Sequence, residues 1–232
     1  MSTSPSEDLL PDVPASILVI DDHPLFRKGL ADLIGMAPTL RLVGEAADGL
    51  AGLAQIDRLH PDLVLLDLNM KGMDGMATLR AIKQRELDCR VIMLTVSDHE
   101  QDVVEALRAG ADGYLLKDME PEDILEHLRE AAQGRLVVSP AIAELIARAL
   151  RADAPPLDHD AAQLTAREAQ ILDLIAQGLT NKLIARRLAI TPATVKVHIK
   201  HLLKKLHLRS RVEAAVWALQ HGGLQHGGTR HG

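Results

Sequence analysis

Leu63-Val-Leu-Leu-Asp67 decides the fold, because four consecutive apolar residues run without a break onto a carboxylate. A run that short, with no polar residue alternating through it, suits a strand buried on both faces of a parallel sheet. The pattern recurs on either side. Ile17-Leu-Val-Ile20 meets Asp21-Asp22, Leu42-Val-Gly-Glu-Ala46 follows, Val91-Ile-Met-Leu94 meets Thr95, and Gly113-Tyr-Leu-Leu116 meets Lys117. Between them lie segments with helical spacing, such as Leu25, Leu30, Leu33 and Ile34, then Val103, Val104 and Leu107, closed by Gly110 as a C-cap. Five βα repeats over residues 17–133 predict an α/β, doubly wound, five-stranded parallel sheet with helices on both faces.

In such a sheet, groups just beyond the carboxyl ends of the strands share one crevice where the strand order reverses. Asp21, Asp22, Asp67, Thr95 and Lys117 therefore converge. Clustered carboxylates repel one another unless a hard cation sits among them, and oxygen-only donors suit Mg2+. A carboxylate can attack phosphorus to form an aspartyl phosphate. Mg2+, Lys117 and the Thr95 hydroxyl would then spread the charge on the phosphoryl oxygens. Any one of these residues alone reads equally well as a helix cap or a surface acid. All five at strand ends do not.

Charge divides the chain. Residues 17–133 hold 22 acidic and 12 basic side chains, whereas residues 161–232 hold 3 acidic and 11 basic. An acidic part joined to a basic part points to metal or phosphate chemistry in one and a polyanion partner for the other. Phe26, Tyr114 and Trp217 are the only aromatic residues, which argues against single-stranded nucleic acid, whose bases stack on aromatic side chains. Cys89, the single cysteine, has no disulfide partner and reads as a small core residue in a reducing compartment. Residues 1–16 carry Glu7, Asp8, Asp12 and three prolines, and read as a disordered tail and not a signal peptide. No stretch approaches the ~18 apolar residues of a membrane span. A cytoplasmic protein without membrane contact is expected.

Residues 134–160 change character. Ser139-Pro140 is an N-cap and first-turn pair for a short connecting helix, and Pro155-Pro156 lies in a polar, semi-stiff linker. Residues 161–224 read as all-α. Thr165-x-x-Glu168 is a capping box for a helix ending at Gly178; Thr180 caps a second helix, and Thr191-Pro192 opens a third. Ser210-x-x-Glu213 starts the last, and residues 225–232 form a Gly- and His-rich frayed tail. A helical wheel separates a buried stripe of Val195, Ile199, Leu202, Leu203 and Leu206 from a basic face of Lys196, Lys200 and Lys204. Thr194, His201 and Lys205 flank that face. Val197 lies within it, as a stray exposed valine or as a contact for a thymine methyl in the major groove. Short helix, turn, basic helix is the order that places a recognition helix in double-stranded DNA.

The strings Ile20-Asp-Asp-His-Pro24, Leu65-Leu-Asp-Leu-Asn-Met70, Met93-Leu-Thr-Val-Ser97 and Gly113-Tyr-Leu-Leu-Lys-Asp118 resemble those of response-regulator receivers. Residues 164–188 and 194–206 resemble the LuxR-type helix-turn-helix of the NarL/FixJ family. The resemblance implies a two-component transcriptional regulator, not an enzyme. It makes Asp67 the phosphoacceptor for a sensor histidine kinase, Asp22, Asp67 and the Asn69 carbonyl the Mg2+ ligands, and Asp21 the holder of a metal-bound water. Lys117 would grip the phosphoryl group, and Thr95 with Tyr114 would relay the change. On DNA it implies Lys196, Val197 and Lys200 as base-facing, Arg186, Arg187, Lys204 and Lys205 as phosphate contacts, and a homodimer through the last helix, with RNA polymerase a further partner. It also implies that the unphosphorylated receiver docks on the basic helix and covers Lys196 and Lys200. One departure stands out: Lys71 occupies a position where such receivers usually carry proline. Two other readings are weaker. An aspartyl-nucleophile phosphatase would show Asp-x-Asp where this chain has Asp67-Leu-Asn69, and an unphosphorylated interaction module would not need the complete acid set.

Overall fold

The computed structural model describes residues 14–138 and 164–221, apart from Glu86, Asp88, Asp98, Gly134, Leu136 and Arg209. The expected connecting helix and linker, the frayed C-terminal tail and nearly all of the N-terminal tail lie outside the described residues. In order come β1 (Ala15–Ile20), α1 (Pro24–Gly35), β2 (Leu40–Ala46), α2 (Gly49–Leu59), β3 (Leu63–Leu66), α3 (Gly75–Gln84), β4 (Arg90–Thr95), α4 (Glu100–Arg108), β5 (Gly113–Leu116), α5 (Pro121–Ala132) and β6 (Val137–Val138).

The strands form one parallel sheet in the order β2-β1-β3-β4-β5-β6. Five of them are those expected. A sixth, two-residue strand extends this sheet at its edge: Val137 and Val138 pair with Gly113 and Tyr114, a ladder too short to give a periodic signal in sequence. β1 begins at Ala15, two residues before Ile17. Ser16 is held there by Asp62, which accepts bonds from both its amide (3.0 Å) and its hydroxyl (2.7 Å).

Alternate residues serve opposite layers, as the period of two requires. Leu18, Ile20, Val64, Leu66, Val91 and Met93 pack on the α2, α3 and α4 side, with Leu53, Leu79 and Val103 among the helical partners. Ile17, Val19, Leu63, Leu65, Ile92 and Leu94 face α1 and α5, meeting Leu30, Ile34, Ile124 and Leu128. Burying each such side chain contributes about 1.5–3 kcal/mol. Asp48 and Asp74 cap α2 and α3 through Oδ1, and Pro24 and Pro121 pre-set the first turns of α1 and α5.

Gly75 is demanded by packing. A Cβ there would lie 2.1 Å from the Asp67 carbonyl oxygen and 2.6 Å from the Leu68 Cα, so α3 could not start against the Asp67 loop. Gly75→Ala is expected to cost about 1–3 kcal/mol, measurable as a lower melting temperature of the purified variant. Unchanged melting would show that the loop yields freely.

The remaining helices are α6 (Ala166–Ala176), α7 (Asn181–Leu188), α8 (Pro192–Lys205) and α9 (Arg211–His221). Thr165, Thr180, Thr191 and Ser210 each accept a bond from a backbone N–H three residues on, as the capping signals predict. A separate apolar core joins Ile171, Ile175, Ile184, Val195, Leu202, Leu206 and Ala214. Glu168 completes the box by accepting from the Thr165 amide at 2.8 Å, and Lys205 Nζ lies on the same carboxylate at 2.7 Å. The Lys205 bond, with those from Thr165, lowers the Glu168 carboxyl from 4.5 to about 2. Its contribution to stability is therefore complete above about pH 4.5 and is lost as pH falls through about 2. Acid melting followed by Trp217 emission should show that loss, and Glu168→Gln should flatten it.

Candidate functional site

The backbone carries the pocket. Asp21 donates its amide to the Ala46 carbonyl, Asp67 to Ile20, and Lys117 to Thr95, so each residue is held at the carboxyl end of a neighbouring strand. Asp21, Asp67 and Thr95 are 2%, 3% and 0% exposed. Lys117 Nζ sits 2.8 Å from Asp21 Oδ2 and 2.8 Å from Asp67 Oδ2, with its ammonium 4.8 Å above the Phe26 ring. Burial raises the Asp67 carboxyl above its usual range, and the Asp21 charge adds to this; Lys117 and the Asn69 amide oppose it without cancelling it.

Asp67 Oδ1 is buried and has no hydrogen-bond partner, and Asp22 Oδ1 also lacks a hydrogen bond, although His23 Nδ1 lies 3.1 Å away. One donor atom from each of Asp21, Asp22, His23 and Asp67 falls within 4.8 Å of the others. A divalent cation would satisfy both orphaned oxygens. Asn69 is at the site, where its backbone N–H donates to the Asp67 carboxylate. Lys71 donates its backbone N–H to Asp22 Oδ2 at 3.4 Å, a donor that proline lacks.

Thr95 and Tyr114 meet through Ser97, which the sequence reading did not single out. The Ser97 amide donates to Thr95 Oγ1 at 3.3 Å, Tyr114 Oη donates to the Ser97 carbonyl at 2.8 Å, and Ser97 Oγ donates to Asp102 in α4 at 2.5 Å. The far end of α4 touches the helical unit: Arg108 Nε is 3.6 Å from Glu213 Oε1 in α9, and Val212 and Val216 join the apolar cluster on that side of the sheet. One nine-residue helix, about 13 Å long, thus joins the pocket side to α9.

At the other end of the sheet a cleft of ≈480 Å³ separates the two units, with Arg90 and Asp112 on one wall and Arg186, Lys196 and Arg211 on the other. Burial, then the Arg90 charge, lowers the Arg211 guanidinium to about 10, against the pull of Asp112. Burial would raise Asp112, but Lys83 at 2.7 Å and Arg90 outweigh it and hold the carboxyl below its usual range.

On α8 the faces separate as the wheel predicts. Val195, Leu202 and Leu206 are buried, and Val197 is 52% exposed beside exposed Lys200, His201 and Lys204. Thr194 Oγ1 bonds Thr191 Oγ1 at 2.8 Å, and Arg187 is exposed on α7. Lys205 turns inward to Glu168, a role that its place at the edge of the basic face did not suggest. Lys196 lies at the cleft; Lys200 is exposed and does not line it.

An acid pocket at the switch point of a parallel sheet, coupled to a helix-turn-helix, defines a class of signal-driven regulators. Residues 17–129 match the response regulator receiver domain, and residues 162–218 match the bacterial regulatory proteins of the luxR family. The chain belongs to the response regulators that join a receiver to a LuxR-type DNA-binding domain. Its relatives include the nitrate/nitrite response regulator protein NarL of Escherichia coli (strain K12), 56% identical over 89% of this chain and 96% of that protein. The nitrate/nitrite response regulator protein NarP of the same organism is 44% identical over 90% and 97%. A LuxR-family two-component response regulator from Aurantimonas sp. SI85-9A1 is 32% identical in its crystal structure, with a TM-score of 0.56 over 61% of this chain and 100% of that one. This is a family of transcriptional regulators, not enzymes, which sets the phosphatase reading aside. Among the described residues no helix is long and apolar enough to cross a membrane.

Proposed function

We propose that the chain is a cytoplasmic, phosphorylation-dependent transcription factor whose Asp67 accepts a phosphoryl group from a sensor histidine kinase. The orphaned, buried Oδ1 of Asp67 beside Lys117 carries this reading. Asp22 and Asp67, with the Asn69 carbonyl, would ligate Mg2+, and Asp21 would hold one of its waters; the ion supplies charge neutralisation at the phosphoryl oxygens. An Asp67 carboxylate oxygen forms a bond to phosphorus as the phosphorus–nitrogen bond of phosphohistidine breaks and the imidazole leaves. Lys117 follows the phosphoryl oxygens, and the Thr95 hydroxyl turns toward them, releasing Ser97. That release loosens α4 and with it the Arg108–Glu213 contact to α9.

The freed domain would dimerise through α9 and bind promoter DNA, with RNA polymerase the downstream partner. NarL and NarP are named for nitrate and nitrite, and this chain's similarity to both supports the same signal here. DNA occupancy across the genome with and without a phosphodonor tests the whole reading; equal occupancy of the same sites would refute it.

Base reading rests on Val197, Lys196 and Lys200, and backbone contact on Arg186, Arg187 and Lys204, with Thr194 and His201 at the margin; Lys205 would join the phosphate contacts only by leaving Glu168. Val197→Ala should weaken operator binding and leave random duplex unaffected, because a methyl contact reads bases. Lys204→Ala should weaken both equally and flatten the salt dependence by about one unit of slope. Equal losses on both duplexes for Val197→Ala would place the helix differently in the groove.

A further inference from the structure

Of the four residues whose donor atoms cluster within 4.8 Å at the pocket, His23 has no role so far. Its main chain is fixed from both sides: the amide donates to Asp21 Oδ1 at 2.8 Å, and the carbonyl accepts from the Arg27 amide at 3.1 Å. Pro24 follows and sets the first turn of α1. Although His23 holds the cap position of α1, its side chain makes no capping bond. The imidazole turns to the acids instead, with Nδ1 3.1 Å from Asp22 Oδ1 and 3.7 Å from Asp21 Oδ1. The unpartnered Oδ1 of Asp67, on a residue 3% exposed, independently marks the point where a cation is wanted.

Carboxylates and water suit hard Mg2+, which seldom takes nitrogen; imidazole suits later divalent metals, whose affinity for nitrogen donors rises along the first transition row. We infer that His23 is a conditional fourth ligand: Co2+, Ni2+ or Zn2+ draws Nδ1 from Asp22 onto the metal, whereas Mg2+ leaves it where it is. The pocket then holds two classes of divalent ion through two donor sets, and occupancy by the nitrogen-seeking class removes Asp22's imidazole neighbour. The inference rests on the reading of the pocket as a cation site.

Co2+ is the probe of choice, because its visible absorption and its paramagnetic shift of a bound imidazole N–H report ligation without reference to phosphorylation. The chain has eleven histidines, so binding that survives Asp67→Asn belongs elsewhere and is subtracted. At the Asp67-dependent site, His23→Ala should weaken Co2+ on the order of tenfold, change Mg2+ by less than about twofold, and abolish the shifted N–H resonance. Equal weakening of both ions would make His23 a support for Asp22 and not a ligand, overturning the inference, as would no change for either. If neither ion binds the wild-type chain at this site, the cation reading of the pocket falls as well.

Discussion

Asp67→Asn is expected to incorporate no phosphoryl group from acetyl phosphate or from a phosphorylated histidine kinase, and chelation of Mg2+ should silence the wild-type chain equally. Asp67 follows β3 at the centre of the sheet, between β1 and β4, and among the described residues it alone combines burial, an orphaned oxygen and the Lys117 contact. An amide in its place keeps shape and volume but removes the nucleophilic oxygen pair. It also removes a carboxylate that desolvation makes costly, so the variant should melt at the same or a higher temperature. Labelling that matches wild type would end the assignment, and a melting temperature at or above that of wild type separates lost labelling from lost folding.

A fragment starting near residue 155 should bind DNA without any phosphodonor, and far more tightly than the unphosphorylated whole chain. Its helices close their own apolar core, so they should fold alone. In the whole chain Val212 and Val216 pack on the receiver, and Arg186 and Lys196 face the cleft. If a released form makes up about 1–10% of the population, removing the receiver should tighten binding roughly ten- to a hundredfold. Arg108→Glu should act in the same direction within the intact chain, because it sets a like charge 3.6 Å from Glu213. A fragment that binds no better than the unphosphorylated protein would show that the docked face is not inhibitory.

The sheet and its pocket were legible because both rest on local signals. An unbroken apolar run followed by an acid marks a buried parallel strand and its functional end, and Thr or Asp before a helix marks a cap. Less was legible wherever distant segments meet. Ser97 looked like any loop serine until Thr95, Tyr114 and Asp102 closed around it. Lys205 read as one more basic residue, because only the packing of α6 on α8 brings Glu168 beneath it. His23 could have been noticed, since it stands directly between an acid pair and a helix-opening proline. That Lys200 is exposed while Lys196 meets the cleft depends on how the two units dock, which no periodicity encodes.

The scarcity of aromatic residues has an optical consequence. Tyr114 is the only tyrosine and lies buried against Ser97 in the receiver, while Trp217, the only tryptophan, packs against the helical core. Red-edge excitation therefore illuminates the DNA-binding domain alone. Shorter wavelengths add a single donor fixed in the receiver, whose energy can pass only to Trp217. The native chain is its own donor–acceptor pair: loss of that transfer on adding a phosphodonor would time domain separation in solution, with no dye attached.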